Sequence, residues 1–132
     1  MGARFYPTLY MLTRVMKARD FGTGVPISNA LLGRLNGLQV HHIFPKAKLY
    51  AAGYARGQVN AIANFCLITQ DTNLQVSDAD PAIYMPEIES RVPGALASQW
   101  VPMEDHLWQI DNYPAFLAAR RELLSTAANF LL

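Results

Sequence analysis

Two adjacent histidines, His41 and His42, are the residues of this sequence best suited to acid–base or metal chemistry. The chain holds three histidines, and these two stand together near the end of the apolar run Leu38–Phe44. A neutral imidazole, with a pKa of about 6.5, can accept a proton from water near neutral pH, and it is also a common metal ligand. Strand neighbours face opposite sides, so the pair can share a site only where the strand runs out. Ordinary surface or structural roles for both histidines stay open.

Two asparagines, Asn64 and Asn73, extend the pattern. The sequence reads VHHIFP at 40–45, NFCLI at 64–68 and DTN at 71–73. This resembles the HNH endonucleases of the ββα-metal superfamily, in which the first strand ends in Asp-His or His-His, the second opens with Asn, and the following helix supplies Asn or His. The nine-residue step between the two asparagines matches the same family. The segments HHIFPKAKL, VNAIANFCLIT, SDADPAIY and FLAARRELLSTAANFLL resemble the C-terminal nuclease domain of GmrSD-type modification-dependent restriction enzymes.

The resemblance implies a role for each of the four residues. His42 would be the general base, and His41 and Asn73 would hold one divalent cation, most commonly Mg²⁺ in this family and often Mn²⁺. Asn64 would bond the backbone of the loop between the strands and so fix the direction of His42. Many relatives carry Asp in place of His41. Because imidazole is a softer ligand than carboxylate, this site should accept Mn²⁺, Ni²⁺ or Zn²⁺ more readily than a carboxylate site would.

The activity implied by the resemblance is metal-assisted hydrolysis of DNA phosphodiester bonds, in defence against foreign or modified DNA. Lys46, Lys48 and Arg56 follow the histidines and are candidates for contacts to flanking phosphates, although solvated surface charges would look the same in the sequence. The alternative function is a non-catalytic nucleic-acid-binding or interaction module on an HNH scaffold. Asp78 and Asp80, close after Asn73, are expected to be helix caps or, less simply, carboxylates that support a metal.

Charge is distributed unevenly along a chain whose net charge is only +1. Residues 1–60 carry eight basic side chains and one acidic one, giving +7, whereas residues 61–132 carry three basic and nine acidic ones, giving −6. A positive face beside the histidines would suit a polyanion, unless the two halves pair with each other and cancel.

Other features bound the partners and the location. The sequence has no G-x-x-x-x-G-K-[ST] motif, so nucleotide hydrolysis is not expected from it, and an N-terminal NTP-binding domain like that of the relatives is a possible partner. The apolar run at 7–16 is interrupted by Arg14, and no uncharged run approaches the roughly 18 residues of a membrane span. A cytoplasmic protein is expected.

Hydrophobic periodicity predicts one α+β domain over residues 1–132. It divides into N-terminal helices (about 1–36), a central segment (37–90) and a helical closure (91–132). For the central segment the HNH resemblance implies a ββα-metal core of two antiparallel strands and a helix. The expected elements are a helix over 5–19, a short helix over 29–35 with a turn at 36–37, strands over 38–44 and 61–69, a short helix capped by Asp71 or Thr72, a helix from Asp80-Pro81 to about 89, a loop over 92–102, and a last helix. In that last helix the apolar stripe is Phe116, Leu123, Leu124, Ala127 and Leu131, with Arg120 outside it.

Overall fold

The computed structural model describes residues 6–27 and 38–131. Its elements alternate short helices with two strands, and this mixed architecture confirms the α+β class. The strands are β1 (Leu38–His42) and β2 (Phe65–Thr69). The helices are α1 (Tyr6–Val15), α2 (Lys46–Ala51), α3 (Arg56–Val59), α4 (Gln70–Val76), α5 (Pro81–Arg91), α6 (Ala95–Ser98) and α7 (Tyr113–Leu131), with 3₁₀ turns at Ile62–Asn64, Asp105–Trp108 and Ile110–Asn112.

The two strands form an antiparallel hairpin whose register sets His41 opposite Cys66 and His42 opposite Phe65. Residues 65–68 are all buried, as expected for a short apolar run covered on both faces. A two-stranded hairpin is at best marginally stable alone, so its stability must come from the elements packed around it. Those elements include α1, which packs on β2, and α4, which packs on both strands.

Three fully buried polar side chains, which we call the anchor cluster, fix the hairpin to the rest of the fold: Asn64, Gln99 and Arg120. The Gln99 carboxamide bonds both the amide and the carbonyl of Leu67, so it serves the edge of β2 as a neighbouring strand would. Arg120, on α7, donates to the carbonyls of Ala63 and Phe65 at the start of β2 and to the carbonyl of Gln99. The anchor cluster therefore satisfies backbone groups that a two-stranded sheet would leave open.

Asp20 joins the N-terminal segment to the far end of β2. Its carboxylate accepts hydrogen bonds from the Thr69 amide at 2.8 Å and from the Thr72 hydroxyl at 2.6 Å. It also accepts the amides of Gly22 and Thr23 in its own turn. A Cβ at position 22 would collide with the Thr72 hydroxyl, so this close approach requires glycine. Asp20 consequently fixes the place where β2 passes into α4.

The burial of Arg120 contradicts the sequence-based expectation that it lies outside the apolar stripe of the last helix. Arg120 is 0% exposed, because Phe116 and Leu124 lie four residues before and after it on the same face of α7. Leu123, which was assigned to the stripe, is 41% exposed. The side chain of Leu131 is outside the described part of the structure.

Several predicted boundaries are also wrong. The first helix ends at Val15 rather than at residue 19, and the second strand begins at Phe65 because residues 62–64 form a 3₁₀ turn. The predicted loop over 92–102 contains α6. In the segment between the strands, the sequence indicates a single helical turn at about 47–54; the structure has α2 at that turn and α3 after it. Thr69, rather than Asp71 or Thr72, caps α4 by accepting the amide of Thr72.

Other expectations are confirmed. Asp80 caps α5 by accepting the amide of Ala82, and Pro81 occupies the first turn. The helix predicted over 29–35 and the turn at 36–37 lie outside the described residues. Within residues 6–27 and 38–131, none of the helices combines the length and the apolarity that a membrane crossing requires.

Candidate functional site

The end of β1 opens onto a cleft of about 290 Å³ that holds three of the four residues singled out in the sequence. We call His41, His42 and Asn73 the cleft cluster. The last two residues of β1 and the middle of α4 supply these side chains, and the packing of α4 on the hairpin brings them together. The residues that line the cleft are Val40, His41, His42, Pro45, Lys46, Ala47, Asn73, Ser77 and Asp78.

His41 is the buried member of the cleft cluster, with 4% of its surface exposed. Its Nδ1 lies 3.1 Å from Asn73 Oδ1, and its Nε2 lies 3.4 Å from the hydroxyl of Tyr84. Burial lowers the pKa of His41 to about 4; the bond with Asn73 opposes this shift, and the neighbouring His42 adds to it. The ring is therefore neutral at physiological pH, which is the form that can ligate a metal.

His42 is half-buried and faces a different set of neighbours. Its Nε2 lies 3.1 Å from Asn60 Oδ1, and its ring meets the ring of Phe65 edge-on at 4.5 Å between centroids. An N–H at Nε2 donating to Asn60 leaves Nδ1 as the proton acceptor of the neutral ring. Burial lowers the pKa of His42, the bond with Asn60 raises it, and Lys46 lowers it. The net shift favours the unprotonated ring, the form that a general base needs.

Asn64 lies beneath the cleft, fully buried, in the 3₁₀ turn that leads into β2. Its Oδ1 accepts the amide of Phe44 at 2.8 Å, and its Nδ2 donates to the carbonyls of Phe44 and Val59. Its own carbonyl accepts the amide of Ile43 at 2.7 Å. These are bonds to the backbone directly after the histidine pair, so Asn64 holds the segment on which the direction of His42 depends.

The position of Asn73 depends on both ends of α4. At the start, Thr69 caps the helix, and Asp20 holds Thr69 and Thr72. At the end, Ser77 adopts a φ of 43°, a left-handed conformation that is uncommon outside glycine, and its amide donates to the carbonyl of Asn73. The chain therefore leaves α4 beside the cleft, where Ser77 and the exposed Asp78 form part of the wall.

The three predicted phosphate-binding residues are placed differently from one another. Lys46, at the start of α2, is exposed and lines the cleft. Lys48, on α2, and Arg56, on α3, are exposed. Neither of them is among the described residues that line the cleft. Only Lys46 is therefore placed to contact the same ligand as the cleft cluster.

The donor atoms of the cleft cluster are few. In the described part of the chain, no group of three or more histidine, cysteine, aspartate or glutamate side chains is arranged to hold a metal. The cleft cluster offers one imidazole nitrogen and one carboxamide oxygen close together, with His42 beside them. Octahedral ions with ligand distances of about 2.0–2.1 Å set neighbouring ligands about 3 Å apart, and the 3.1 Å between His41 Nδ1 and Asn73 Oδ1 fits that spacing.

Three residues of this region were not singled out by the sequence: Tyr84, Asn60 and Asp20. Asp20 gave a usable signal, because it is the only acid among residues 1–60. Asn60 and Tyr84 gave none, since each reaches its histidine from a separate element and from a sequence distance of 18 and 43 residues respectively.

Comparisons with protein-family models, with curated proteins and with solved structures give no match to this chain. The resemblance to HNH endonucleases therefore remains a sequence-based prediction.

Proposed function

We propose that this protein is a metal-dependent DNA endonuclease of the HNH type, with its active site in the cleft at the end of β1. The observation that carries the proposal is the 3.1 Å separation of His41 Nδ1 and Asn73 Oδ1, with His42 lining the same open cleft. A ligand pair next to a neutral imidazole is the arrangement that metal-assisted hydrolysis needs. The proposed core consists of β1, β2 and α4.

In this proposal His42 is the general base, and its Nδ1 takes a proton from the attacking water. Asn60 supports this role by accepting the Nε2 hydrogen and so orienting the ring. His41 and Asn73 would hold a divalent cation, for which Mg²⁺ or Mn²⁺ is the first choice and Ni²⁺ or Zn²⁺ is compatible with the imidazole. When bound, the cation would supply charge stabilisation to the phosphate and its leaving oxygen.

The substrate proposed is the phosphodiester backbone of DNA. The cleft is open to solvent, and Lys46 supplies a positive charge at its wall. Lys48 and Arg56 would contact phosphates further along the strand. The role in defence against foreign or modified DNA, and the partnership with an NTP-binding domain or subunit, rest on the sequence resemblance.

A second candidate is a nucleic-acid-binding or interaction module without catalysis. The small number of metal-binding side chains among the described residues of the cleft favours it. Such a module would keep the basic residues near the cleft and bind DNA without cutting it.

A plasmid-nicking assay separates these functions. Wild-type protein is incubated with supercoiled plasmid and Mg²⁺, Mn²⁺ or a chelator, beside His42→Ala and the exposed control His106→Ala. Loss of the general base should reduce the metal-dependent nicking rate about 100- to 10,000-fold, while the control keeps it. Full metal-dependent nicking by His42→Ala would show that the base is assigned wrongly. DNA binding without any nicking by the wild type would support the second candidate.

A further inference from the structure

Tyr84 is a buried residue of α5 that connects His41 to the backbone after the histidine pair. It is 4% exposed, and its hydroxyl donates to the carbonyl of Ile43 at 2.6 Å. The same hydroxyl oxygen lies 3.4 Å from His41 Nε2. Burial raises the pKa of Tyr84 well above its usual value, so the phenol stays protonated. The cap at Asp80 and Pro81 sets the start of α5 and so the position of Tyr84 within it.

A phenol has one hydrogen, and this fact decides the direction of both bonds. The short bond to Ile43 uses the hydrogen of Tyr84. Towards His41, the hydroxyl oxygen can then only accept, so a hydrogen bond between Tyr84 and the ring requires the ring hydrogen on His41 Nε2. A neutral imidazole carries a single N–H, and His41 Nδ1 is consequently left with a free lone pair.

That lone pair faces an oxygen. His41 Nδ1 and Asn73 Oδ1 are 3.1 Å apart, and in this tautomer both are hydrogen-bond acceptors. Two acceptors at this distance need a shared positive group between them. Otherwise the carboxamide must turn so that its Nδ2 donates to the ring. A cation would satisfy both acceptors, and the turned carboxamide satisfies the ring without one.

We propose that Tyr84 is a positioning residue that fixes His41 in the Nε2–H tautomer, so that Nδ1 is the nitrogen presented beside Asn73. Its purpose, the binding of a cation by His41 and Asn73, rests on the proposed function. The tautomer itself does not, because it can be measured in metal-free protein. Hydrogen bonds of this kind behind a ligating histidine typically change metal affinity 10- to 100-fold.

The first test reads the tautomer directly. Long-range ¹H–¹⁵N correlation spectra of the metal-free, ¹⁵N-labelled chain at neutral pH distinguish a protonated from an unprotonated ring nitrogen, and His41→Gln assigns the signals. We expect His41 Nε2 to be protonated and Nδ1 to have the shift of a bare nitrogen. A protonated Nδ1 in the wild type would overturn the proposal, whatever the protein does to DNA.

The second test removes the hydroxyl. Tyr84→Phe is compared with Tyr113→Phe, a control in which another buried tyrosine also loses a 2.6 Å bond to a backbone carbonyl, that of Gln58. Mn²⁺ affinity is followed by electron paramagnetic resonance of the free ion. Tyr84→Phe should weaken binding at least about tenfold and shift the His41 population towards Nδ1–H, while Tyr113→Phe should leave both unchanged.

The outcomes separate the two levels of the argument. Equal loss of Mn²⁺ affinity in both variants, or an unchanged His41 tautomer in Tyr84→Phe, would show that Tyr84 is only a packing residue. A wild type that binds no Mn²⁺ but has the Nε2–H tautomer would refute the proposed function and leave the assignment of Tyr84 to His41 standing. Should Tyr84→Phe fail to fold, the wild-type spectrum alone decides the tautomer.

Discussion

The anchor cluster and the cleft cluster are built from similar polar side chains around the same hairpin, but they use their hydrogen-bonding groups in opposite ways. Asn64, Gln99 and Arg120 are fully buried and spend their groups on backbone amides and carbonyls. Among the buried side-chain nitrogen and oxygen atoms of the described residues, only Arg120 Nε has no hydrogen-bond partner. The cleft cluster instead sets a ring nitrogen of His41 against the carboxamide of Asn73 at the wall of an open cleft.

The way in which each cluster uses its hydrogen-bonding groups indicates which side chains can bind a ligand. A polar group whose bonds are all made to backbone stabilises the fold and has nothing left for a ligand. An unpaired acceptor at an open cleft destabilises the ligand-free protein, and a bound ligand can offset that loss of free energy. The anchor cluster should therefore control stability, and the cleft cluster should control ligand binding and activity.

Asn64 of the anchor cluster and Asn73 of the cleft cluster allow the two clusters to be compared with the same substitution. Asn64→Ala removes three buried hydrogen bonds, and because their backbone partners stay unsatisfied we expect a loss of about 3–5 kcal/mol of unfolding free energy. Asn73→Ala, on a helix and partly exposed, should change it by less than about 1 kcal/mol. Urea denaturation of both variants checks this, and similar losses for the two would abolish the distinction.

Acidification tests the cleft cluster through His41. The pKa of His41 is about 4 in the folded protein, below the value of about 6.5 expected when unfolded, so the unfolded chain binds the proton first as pH falls. The stability due to the neutral ring is complete above about pH 6.5 and is lost towards pH 4, by about 3 kcal/mol in all. The lowered pKa of His42 acts in the same direction.

Denaturation midpoints across this pH window measure the effect. His41→Gln should flatten the pH dependence of the wild type, and His106→Gln, which removes a histidine exposed away from the cleft, should keep it. An unchanged slope in His41→Gln would mean that another group is responsible for acid sensitivity.

A smaller effect is expected from Asn60, which touches only the proposed base. Asn60→Ala should lower nicking at neutral pH about fivefold, since one orienting hydrogen bond is worth about 1 kcal/mol. Asn60→Asp places a carboxylate against His42 Nε2 and should move the acidic limb of the pH–rate profile to higher pH. Profiles identical to the wild type in both variants would show that Asn60 does not orient the ring.

The smallest effect concerns the basic residues. Lys46→Gln should reduce DNA affinity only a few-fold and lower the slope of log affinity against log salt by about one unit, because a single phosphate contact is lost. Lys48→Gln and Arg56→Gln, which lie outside the cleft wall, should change affinity less. Salt-dependent anisotropy titrations rank the three, and a larger effect of Lys48 or Arg56 would place the DNA path away from the cleft.

The sequence predicted the parts of this structure that depend on local pattern. The start of α5 follows from Asp80 and Pro81, and the apolar runs locate β1 and β2 to within a few residues. His41, His42 and Asn73 line one cleft, whereas the roles that the resemblance implies for them stay predictions.

What could not be predicted depends on contacts between distant residues. Thr69 caps α4 at a point where Asp20 and Thr72 also bond to Thr69. No local signal in the sequence favours Thr69 over Asp71 as the cap. The burial of Arg120 could have been read from its spacing to Phe116 and Leu124, but its charge argued against it. Only the carbonyls of β2 explain why a guanidinium is tolerated there.

The hydrogen bonds from Arg120 to the start of β2 have a consequence for folding during translation. The guanidinium reaches back to carbonyls 57 and 55 residues earlier in the chain. During translation, the strand beside Asn64 emerges well before the side chain that secures it, and contacts of such long sequence separation form late. The hairpin that carries His41 and His42 is therefore held by its full set of buried hydrogen bonds only after residue 120 has left the ribosome.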